Sequence, residues 1–321
     1  MKIVILDAKT LGDDLEFSQF ERLGEVTVYP TTSSLQLEER IKDAEVIIVN
    51  KIKLNESNLK DAKKLKLICV TATGYDNIDI NYCWQREIGV CNVKGYSTDS
   101  VAQITASMAL SLMTNLSEFD AYVKSGKYTA GGVQNHLRPY FHEMTGKTWG
   151  IVGLGNIGSR VARIAHVLGC RVLVKPHRAQ DGIECVTLDE LCERSDIISI
   201  HVPLNSETKG MIDKEHIDMM KDGVIFINVS RGAIADEEAL VSAFENGKIG
   251  GLGIDVYTEE PMTTESPYNR VLDKKNVIFT PHMAWGAYEA RRRCMDEVFK
   301  NIETFKMGGR RNRVDLNKNT A

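Results

Sequence analysis

Three polar residues in the second half of the chain have side chains that together could bind an organic acid and exchange a proton with it. Arg231 follows a strongly apolar segment, Glu260 precedes a proline, and His282 follows a proline. An arginine can fork to a carboxylate and polarise a neighbouring carbonyl oxygen. A histidine can exchange a proton near neutral pH, and an adjacent carboxylate orients it and favours the imidazolium. Taken singly, the arginine is more often part of a surface ion pair and the histidine a turn residue, so the hypothesis depends on all three occurring together.

A glycine signature, Gly153-Leu154-Gly155-Asn156-Ile157-Gly158, lies almost halfway along the chain. Its glycines allow, in order, a tight turn, the close approach of a pyrophosphate to the backbone, and close packing of the following helix. An apolar strand, Trp149 to Val152, precedes the signature, and an amphipathic helix, Ser159 to Leu168, follows it. The N-terminus of that helix favours phosphate charge. An ordinary loop is the alternative, but the flanking strand and helix favour a dinucleotide site.

Strand and helix patterns alternate in two series that position these residues. The first series has predicted strands at Lys2 to Leu6, Val26 to Tyr29, Ala44 to Val49, Lys66 to Thr71 and Val90 to Asn92. The second has predicted strands at Trp149 to Val152, Arg171 to Val174, Ile197 to His201, Val224 to Asn228, Gly253 to Val256 and Val277 to Phe279. Predicted helices include Ser100 to Ser125, Glu237 to Asn246 with Asp236 as its N-cap, and Tyr288 to Met307.

These series predict an α/β protein with two doubly wound parallel-sheet domains, a flavodoxin-like substrate domain and an inserted Rossmann cofactor domain. We expect the substrate domain to comprise residues 1–99 and 288–321, and the cofactor domain residues 100–287. Parallel strands bind ligands at their carboxyl ends, so Arg231, Glu260 and His282 are expected at one sheet edge beside the glycine signature. These three side chains are the minimum set of groups needed to reduce a 2-oxo acid with a hydride donor.

Composition excludes several other classes of protein. The chain has 321 residues, of which 43% are hydrophobic and 26% charged, with a formal net charge of −4. A net negative charge does not favour binding to nucleic acid or to an anionic membrane. No apolar run is long enough to span a bilayer, and the N-terminus lacks a secretory pattern. The 7 cysteines show neither metal-site spacing nor a disulfide framework, so we expect no metal and a cytoplasmic protein with reduced thiols.

Five motifs in order resemble the D-isomer-specific 2-hydroxyacid dehydrogenase family over nearly the whole chain. They are the glycine signature, His201-Val202-Pro203-Leu204, Asn228-Val229-Ser230-Arg231-Gly232, Gly253-Ile254-Asp255-Val256 with Glu260-Pro261, and Thr280-Pro281-His282. The resemblance implies that Arg231 binds and polarises the substrate, that His282 is the acid/base, and that Glu260 is its partner. It also implies that main-chain amides hold the substrate carboxylate, for which Thr73 and Gly74 are the candidates.

The same resemblance implies a set of cofactor contacts, with Asp255 near the nicotinamide carboxamide. The candidates are Thr105, Gly153, Gly155, Asn156, Ile157, Lys175, Pro176, His177, Arg178, His201, Pro203, Thr208, Asn228, Val229, Ser230, Asp255 and Ala284.

The turn after the second strand of the cofactor domain departs from the usual pattern. An acidic residue is expected about 20 residues beyond the glycine signature, where it would bind the adenosine ribose. Here the turn contains Lys175, His177 and Arg178, with no carboxylate until Asp181. These residues could attract a 2′-phosphate, so the sequence favours NADP(H) or dual use, with NAD(H) possible. The alternative is a basic surface turn that tolerates NAD.

Trp285, in Pro281-His282-Met283-Ala284-Trp285, resembles the sequence after the catalytic histidine in glycerate dehydrogenases and hydroxypyruvate reductases. Its indole could wall the substrate pocket or pack at a domain or subunit boundary. Glyoxylate and hydroxypyruvate are the first choices of substrate, followed by pyruvate or a bulkier 2-oxo acid. The resemblance also suggests a homodimer, with the helix after Ser100 in the interface. A nicotinamide-sensing protein related to transcriptional corepressors, and a dehydrogenase of formate or phosphite, stay open as alternatives.

Overall fold

The computed structural model describes residues 1–176 and 183–316. These residues form two compact units, one made of Met1–Ser97 with the described part of Gly286–Ala321, the other of Thr98–Trp285. Each unit has its own parallel sheet with helices beside it. The predicted fold class, two parallel-sheet α/β units, is therefore confirmed.

The sheet of the first unit has the strand order β2-β1-β3-β4-β5, and all its described pairings are parallel. This is the order of flavodoxin-like sheets. Strands β3 and β4 lie next to each other inside the sheet. Both are apolar and buried throughout, as expected of strands covered on both faces. The strands are β1 (Lys2–Ile5), β2 (Glu25–Val28), β3 (Val46–Val49), β4 (Leu67–Val70) and β5 (Gly89–Cys91).

The sheet of the second unit has the order β11-β10-β9-β8-β6-β7, again parallel throughout the described pairings. Its strands are β6 (Thr148–Val152), β7 (Arg171–Lys175), β8 (Ile197–Ile200), β9 (Val224–Asn228), β10 (Ile249–Ile254) and β11 (Val277–Phe279). A parallel bridge between Val174 and Cys185 extends the sheet beyond β7, in the manner of a dinucleotide-binding sheet. The strand order reverses between β6 and β8, and such reversal points bind ligands.

The helices surround the two sheets. In the described residues they are α1 (Ser34–Ile41), α2 (Glu56–Leu59), α3 (Ile80–Gln85), α4 (Thr98–Thr114), α5 (Leu116–Lys124), α6 (Lys127–Gly131), α7 (Asn156–Val167), α8 (Leu188–Arg194), α9 (Lys214–Met219), α10 (Glu237–Glu245) and α11 (Tyr288–Lys306). The predicted cap of α10 is confirmed, since the Asp236 carboxylate accepts a hydrogen bond from the amide of Ala239 at 3.0 Å. None of these helices combines the length and apolar character that a membrane span requires.

Three sequence predictions of element bounds are wrong. The single helix Ser100 to Ser125 is two helices, because Asn115 has φ 51°, a left-handed conformation that interrupts the helical path. The helix after the glycine signature begins at Asn156 instead of Ser159, which places Gly158 in its first turns. Strand β10 begins at Ile249, four residues before the predicted Gly253.

Candidate active site

Three neighbouring strands of the second sheet bring the candidate catalytic residues to one edge. Arg231 follows β9, Glu260 follows β10 and His282 follows β11, and these strands are adjacent and parallel. The segments after β9 and β10 also touch directly. A Cβ atom at Gly232 would lie 2.1 Å from the carbonyl carbon of Tyr257, so only glycine allows this approach.

The central contact of the site joins His282 to Glu260. His282 Nδ1 lies 2.6 Å from Glu260 Oε2, and Glu260 Oε1 accepts a hydrogen bond from the amide of Tyr257 at 3.2 Å. The carboxylate therefore favours a proton on Nδ1. The sequence predicted both residues as a pair, and the structure brings them together.

The backbone of His282 has an unusual conformation. Its φ of 51° lies in the left-handed region, which costs a non-glycine residue about 1–2 kcal/mol. Two hydrogen bonds hold it there: the amide of His282 donates to Asp255 O at 2.8 Å, and the indole N–H of Trp285 donates to His282 O at 2.8 Å. Trp285 therefore has a structural contact with the main chain of His282.

The Asp255 carboxylate organises the loop that carries His282. Oδ1 accepts hydrogen bonds from the Thr280 hydroxyl at 2.5 Å and the Met283 amide at 2.8 Å, and Oδ2 accepts one from the Ala284 amide at 3.0 Å. Burial raises the pKa of Asp255, while the hydrogen bonds from Thr280, Ala284 and Met283 oppose that rise. This loop-holding role was not predicted from the sequence.

The turn that carries Arg231 is fixed by its neighbours. Asn228 is buried; its side-chain amide donates to Arg231 O at 2.9 Å, and its Oδ1 accepts from the amide of Ser230 at 3.1 Å. The Ser230 hydroxyl donates to Val202 O. Arg231 Nη1 donates to Ser230 O at 2.9 Å. Asn228 and Ser230, predicted as cofactor contacts, thus use side-chain groups to shape the turn that presents Arg231.

The glycine signature forms a cradle that fits the pyrophosphate of a dinucleotide. Gly153 has φ 97°, and a Cβ there would lie 2.8 Å from His201 O. A Cβ at Gly158 would lie 1.9 Å from Gly153 O. At Gly155, by contrast, no described atom beyond Gly155 and its two chain neighbours lies within 4 Å of an added Cβ. Gly155 is the N-cap of the 12-residue helix α7, so this open space lies at a helix N-terminus, where main-chain amides lack intrahelical acceptors.

Other predicted cofactor residues have side chains that are already hydrogen-bonded. Burial lowers the pKa of His201 to about 3, so its ring is neutral, and its Nε2 lies 2.9 Å from Ser199 Oγ. The Thr208 hydroxyl donates to Pro203 O at 2.5 Å, and the Thr105 hydroxyl donates to Val101 O at 2.8 Å. The other ring nitrogen, His201 Nδ1, is buried and has no hydrogen-bond partner among the described residues.

The turn predicted to select the cofactor is described only in part. Lys175 is the last residue of β7, and its carbonyl accepts a hydrogen bond from the amide of Gly153 at 2.9 Å. Lys175 and Pro176 therefore lie beside the glycine cradle. His177 and Arg178 lie outside the described residues.

The predicted substrate-binding residues of the first unit follow strand β4. The Thr73 hydroxyl donates to Val93 O at 2.9 Å, and Thr73 O accepts from Asn92 Nδ2 at 2.7 Å. Neither the contact from Asn92 nor the loop-holding role of Asp255 was predicted from the sequence. Each of these two residues is a polar residue directly after an apolar strand, the same signal that drew attention to Arg231.

Comparisons with known proteins bear on this site. Residues 106–284 match the family described as D-isomer specific 2-hydroxyacid dehydrogenase, NAD binding domain. A hydroxypyruvate reductase of Blautia hydrogenotrophica is 37% identical over 317 residues, 96% of this chain and 98% of the relative.

Solved structures are also similar. A D-lactate dehydrogenase of Aquifex aeolicus, complexed with NAD and lactic acid, superposes with a TM-score of 0.88 at 32% identity, covering 98% of this chain and 99% of that one. An acyclic imino acid reductase in complex with NADPH and D-arginine superposes with a TM-score of 0.85 at 28% identity, covering 98% of this chain and 100% of that one.

Proposed function

The chain belongs to the D-isomer specific 2-hydroxyacid dehydrogenase family, and from this we propose that it reduces a small 2-oxo acid to the D-2-hydroxy acid in a reversible reaction. It is an oxidoreductase that uses a nicotinamide cofactor. The observation that carries the proposal is the 2.6 Å contact between His282 and Glu260, at the sheet edge that also holds Arg231. This combination of an acid/base pair with a carboxylate-binding cation suits a 2-oxo acid.

The proposed chemistry assigns one role to each side chain. The nicotinamide, when bound, supplies the hydride that adds to C2 of the substrate. His282 donates a proton through Nε2 to the C2 oxygen, and Glu260 stabilises the imidazolium that makes the donation. Arg231 binds the carboxylate and stabilises the negative charge that develops on the same C2 oxygen.

Several other residues would hold the ligands. The amides of Asn156 and Ile157, in the first turn of α7, are proposed to bind the pyrophosphate. The main-chain amides of Thr73 and Gly74 are proposed to bind the substrate carboxylate. Glyoxylate and hydroxypyruvate are the proposed substrates, and the similarity to a hydroxypyruvate reductase supports the second.

We propose that NADP(H) is preferred to NAD(H). Lys175 occupies the end of β7, where an NAD-binding sheet usually has a carboxylate for the ribose hydroxyls. An ammonium there would attract a 2′-phosphate. The ratio of kcat/KM for NADPH and NADH measures this preference; we expect NADPH to be favoured, and a clear preference for NADH would contradict the proposal.

We further propose that the chain forms a homodimer through the region that follows α4. Large apolar side chains are exposed there, namely Leu116, Val123, Val133, Leu137, Tyr140 and Phe141. All six lie within residues 116–141, and clustered exposed apolar side chains mark an interaction site. Light scattering during gel filtration should give twice the chain mass, and a monomer at micromolar concentration would contradict this proposal.

The experiment that tests the reaction is a panel of 2-oxo acids with both cofactors, run on the wild type and two variants. His282→Ala and Arg231→Ala should each lose turnover by about 10²–10⁴-fold, because general acid catalysis and charge stabilisation are worth that much. Both variants should still bind cofactor. Turnover near the wild-type level in either variant would remove the corresponding assignment.

A further inference from the structure

Two main-chain carbonyls in the loop after β4 are each held by a hydrogen bond from the segment after β5. The amide of Val93 donates to Ala72 O at 2.9 Å, and the side-chain amide of Asn92 donates to Thr73 O at 2.7 Å. The Thr73 hydroxyl returns a hydrogen bond to Val93 O at 2.9 Å. All of these residues belong to the first unit. The loop is therefore fixed on one side by three hydrogen bonds.

Peptide planarity turns these carbonyl contacts into a constraint on the following amides. In a trans peptide the C=O and the next N–H lie in one plane and point in opposite directions. Holding Ala72 O aims the Thr73 N–H away from the segment after β5, and holding Thr73 O does the same for the Gly74 N–H. Within residues 1–176 and 183–316, neither amide donates a hydrogen bond to a protein acceptor. Two adjacent N–H donors presented in this way suit the two oxygens of a carboxylate.

The main chain of Asn92 makes hydrogen bonds of its own, separate from the side-chain contact with Thr73. Its carbonyl accepts a hydrogen bond from Asn301 Nδ2 at 3.2 Å, and its amide donates to Asn312 O at 3.3 Å. Asn312 Nδ2 in turn donates to Asn301 Oδ1 at 2.8 Å. Asn92 and Asn301 are each only 1% exposed. Helix α11 and the segment after it thus contact the Asn92 main chain, while the Asn92 side-chain amide is left to contact Thr73.

The side-chain oxygen of Asn92 shows that stability alone is a poor explanation for this residue. Asn92 Oδ1 is buried and has no hydrogen-bond partner among the described residues. A buried acceptor without a partner costs about 1–3 kcal/mol. The reversed amide orientation would place Oδ1 against Thr73 O, oxygen to oxygen, so the contact with Thr73 requires this arrangement.

We propose that Asn92 is a positioning residue for the substrate carboxylate: its side-chain amide sets the plane of the Thr73–Gly74 peptide and so directs the Gly74 N–H at the substrate. This inference rests on the proposed function, in which the amides of Thr73 and Gly74 bind that carboxylate. Asn92 itself does not touch the substrate. Its effect should therefore appear in substrate affinity and not in the proton or hydride steps.

The test compares two asparagines of equal burial in the same unit. Asn92→Ala removes the donor to Thr73 O, and Asn92→Asp does so without leaving a cavity. Asn301→Ala is the matched control, since it removes the donor to the Asn92 main chain and leaves the Asn92 side chain in place. For each, KM and kcat for glyoxylate are measured with saturating cofactor, together with the Kd of oxamate, a carboxylate analogue, and the melting temperature.

Both Asn92 variants should raise the KM for glyoxylate and the Kd of oxamate by about tenfold, equivalent to about 1.4 kcal/mol, with kcat within threefold of the wild type. Asn301→Ala should lower the melting temperature while changing KM less than threefold. Unchanged KM and oxamate Kd in folded Asn92 variants would overturn the positioning role and leave the proposed function intact. Equal KM changes in the Asn92 and Asn301 variants would also overturn it, by showing a general effect of destabilisation. A wild type that reduces no 2-oxo acid and binds no oxamate would overturn the proposed function itself and this inference with it.

Discussion

Replacing Asp255 with asparagine tests whether the loop that carries His282 must be held by a carboxylate. The wild-type carboxylate accepts three hydrogen bonds, from the Thr280 hydroxyl and the Met283 amide on Oδ1 and from the Ala284 amide on Oδ2. Asparagine has the same shape but one acceptor oxygen in place of two. Whichever way its amide faces, an NH₂ group meets at least one main-chain N–H.

The size of the effect follows from the number of donors left unsatisfied. One buried donor without an acceptor costs about 1–3 kcal/mol, and 1.4 kcal/mol corresponds to a factor of ten. The loop can relieve this cost by moving away from its wild-type position, and that movement would displace His282, which lies in the loop. We therefore expect kcat to fall by about 5–150-fold.

The free energy of unfolding should respond to Asp255→Asn differently from kcat. Burial raises the pKa of Asp255, so its proton is bound more tightly in the folded state than in the unfolded state. The wild type therefore has this stabilising contribution in full below the ordinary carboxyl range and loses it as the pH rises through the raised pKa. Asp255→Asn should remove that part of the pH dependence, and its neutral side chain avoids the desolvation of a charge. We expect its loss of unfolding free energy at neutral pH to stay below about 2 kcal/mol.

The assay combines kcat at saturating substrate and cofactor, the cofactor Kd from fluorescence titration, and urea unfolding at several pH values. Asp196→Asn is the control. Asp196 also accepts a main-chain hydrogen bond, from Thr148 at 2.7 Å, but it lies at the amino end of β8, opposite the active edge. The control should be destabilised with kcat unchanged. A wild-type kcat in Asp255→Asn, or a weaker cofactor Kd as its only defect, would refute the loop-holding role; the second outcome would favour a direct nicotinamide contact.

Three further substitutions probe the acid/base pair, the indole and the cofactor cradle. Glu260→Gln removes the carboxylate that contacts His282 Nδ1, so kcat should fall by about tenfold or more with the cofactor Kd unchanged, and a wild-type kcat would make Glu260 only structural. Trp285→Phe removes the hydrogen bond to His282 O and should lower kcat by about 3–10-fold with KM unchanged, whereas a change in KM alone would indicate that the indole lines the substrate pocket. Gly155→Ala places a methyl group in space that no described atom occupies, so the melting temperature should hold while the cofactor Kd rises at least about tenfold; wild-type affinity would place the pyrophosphate elsewhere.

Much of the fold could be predicted because its strands are locally distinct. The segments Val224–Asn228 and Val277–Phe279 were predicted with the bounds that the structure has, since each is a short apolar run between turn signals. Strand β10 was not, because Gly250 and Gly251 resemble a turn. A Cβ at Gly250 would lie 2.5 Å from Gly223 O, so the glycine is there for close packing that the sequence does not display.

The candidate site, like the fold, could be predicted only in part. Parallel strands place residues after β9, β10 and β11 at one edge, and this rule was enough to bring Glu260 and His282 together. The hydrogen bonds that hold these residues could not be predicted, because they join positions far apart in the chain. Asp255 contacts Ala284, and Asn92 contacts both Thr73 and Asn301, and no local pattern specifies such pairs.

The stereochemistry of the product decides whether the protein is a D-specific 2-oxo acid reductase that uses His282. Hydroxypyruvate and NADPH are incubated with the purified chain and, in parallel, with His282→Ala, and the glycerate formed is resolved by chiral chromatography. We predict D-glycerate from the wild type and at least about a hundredfold less from the variant. Formation of L-glycerate, or equal amounts of D-glycerate from both proteins, would contradict it.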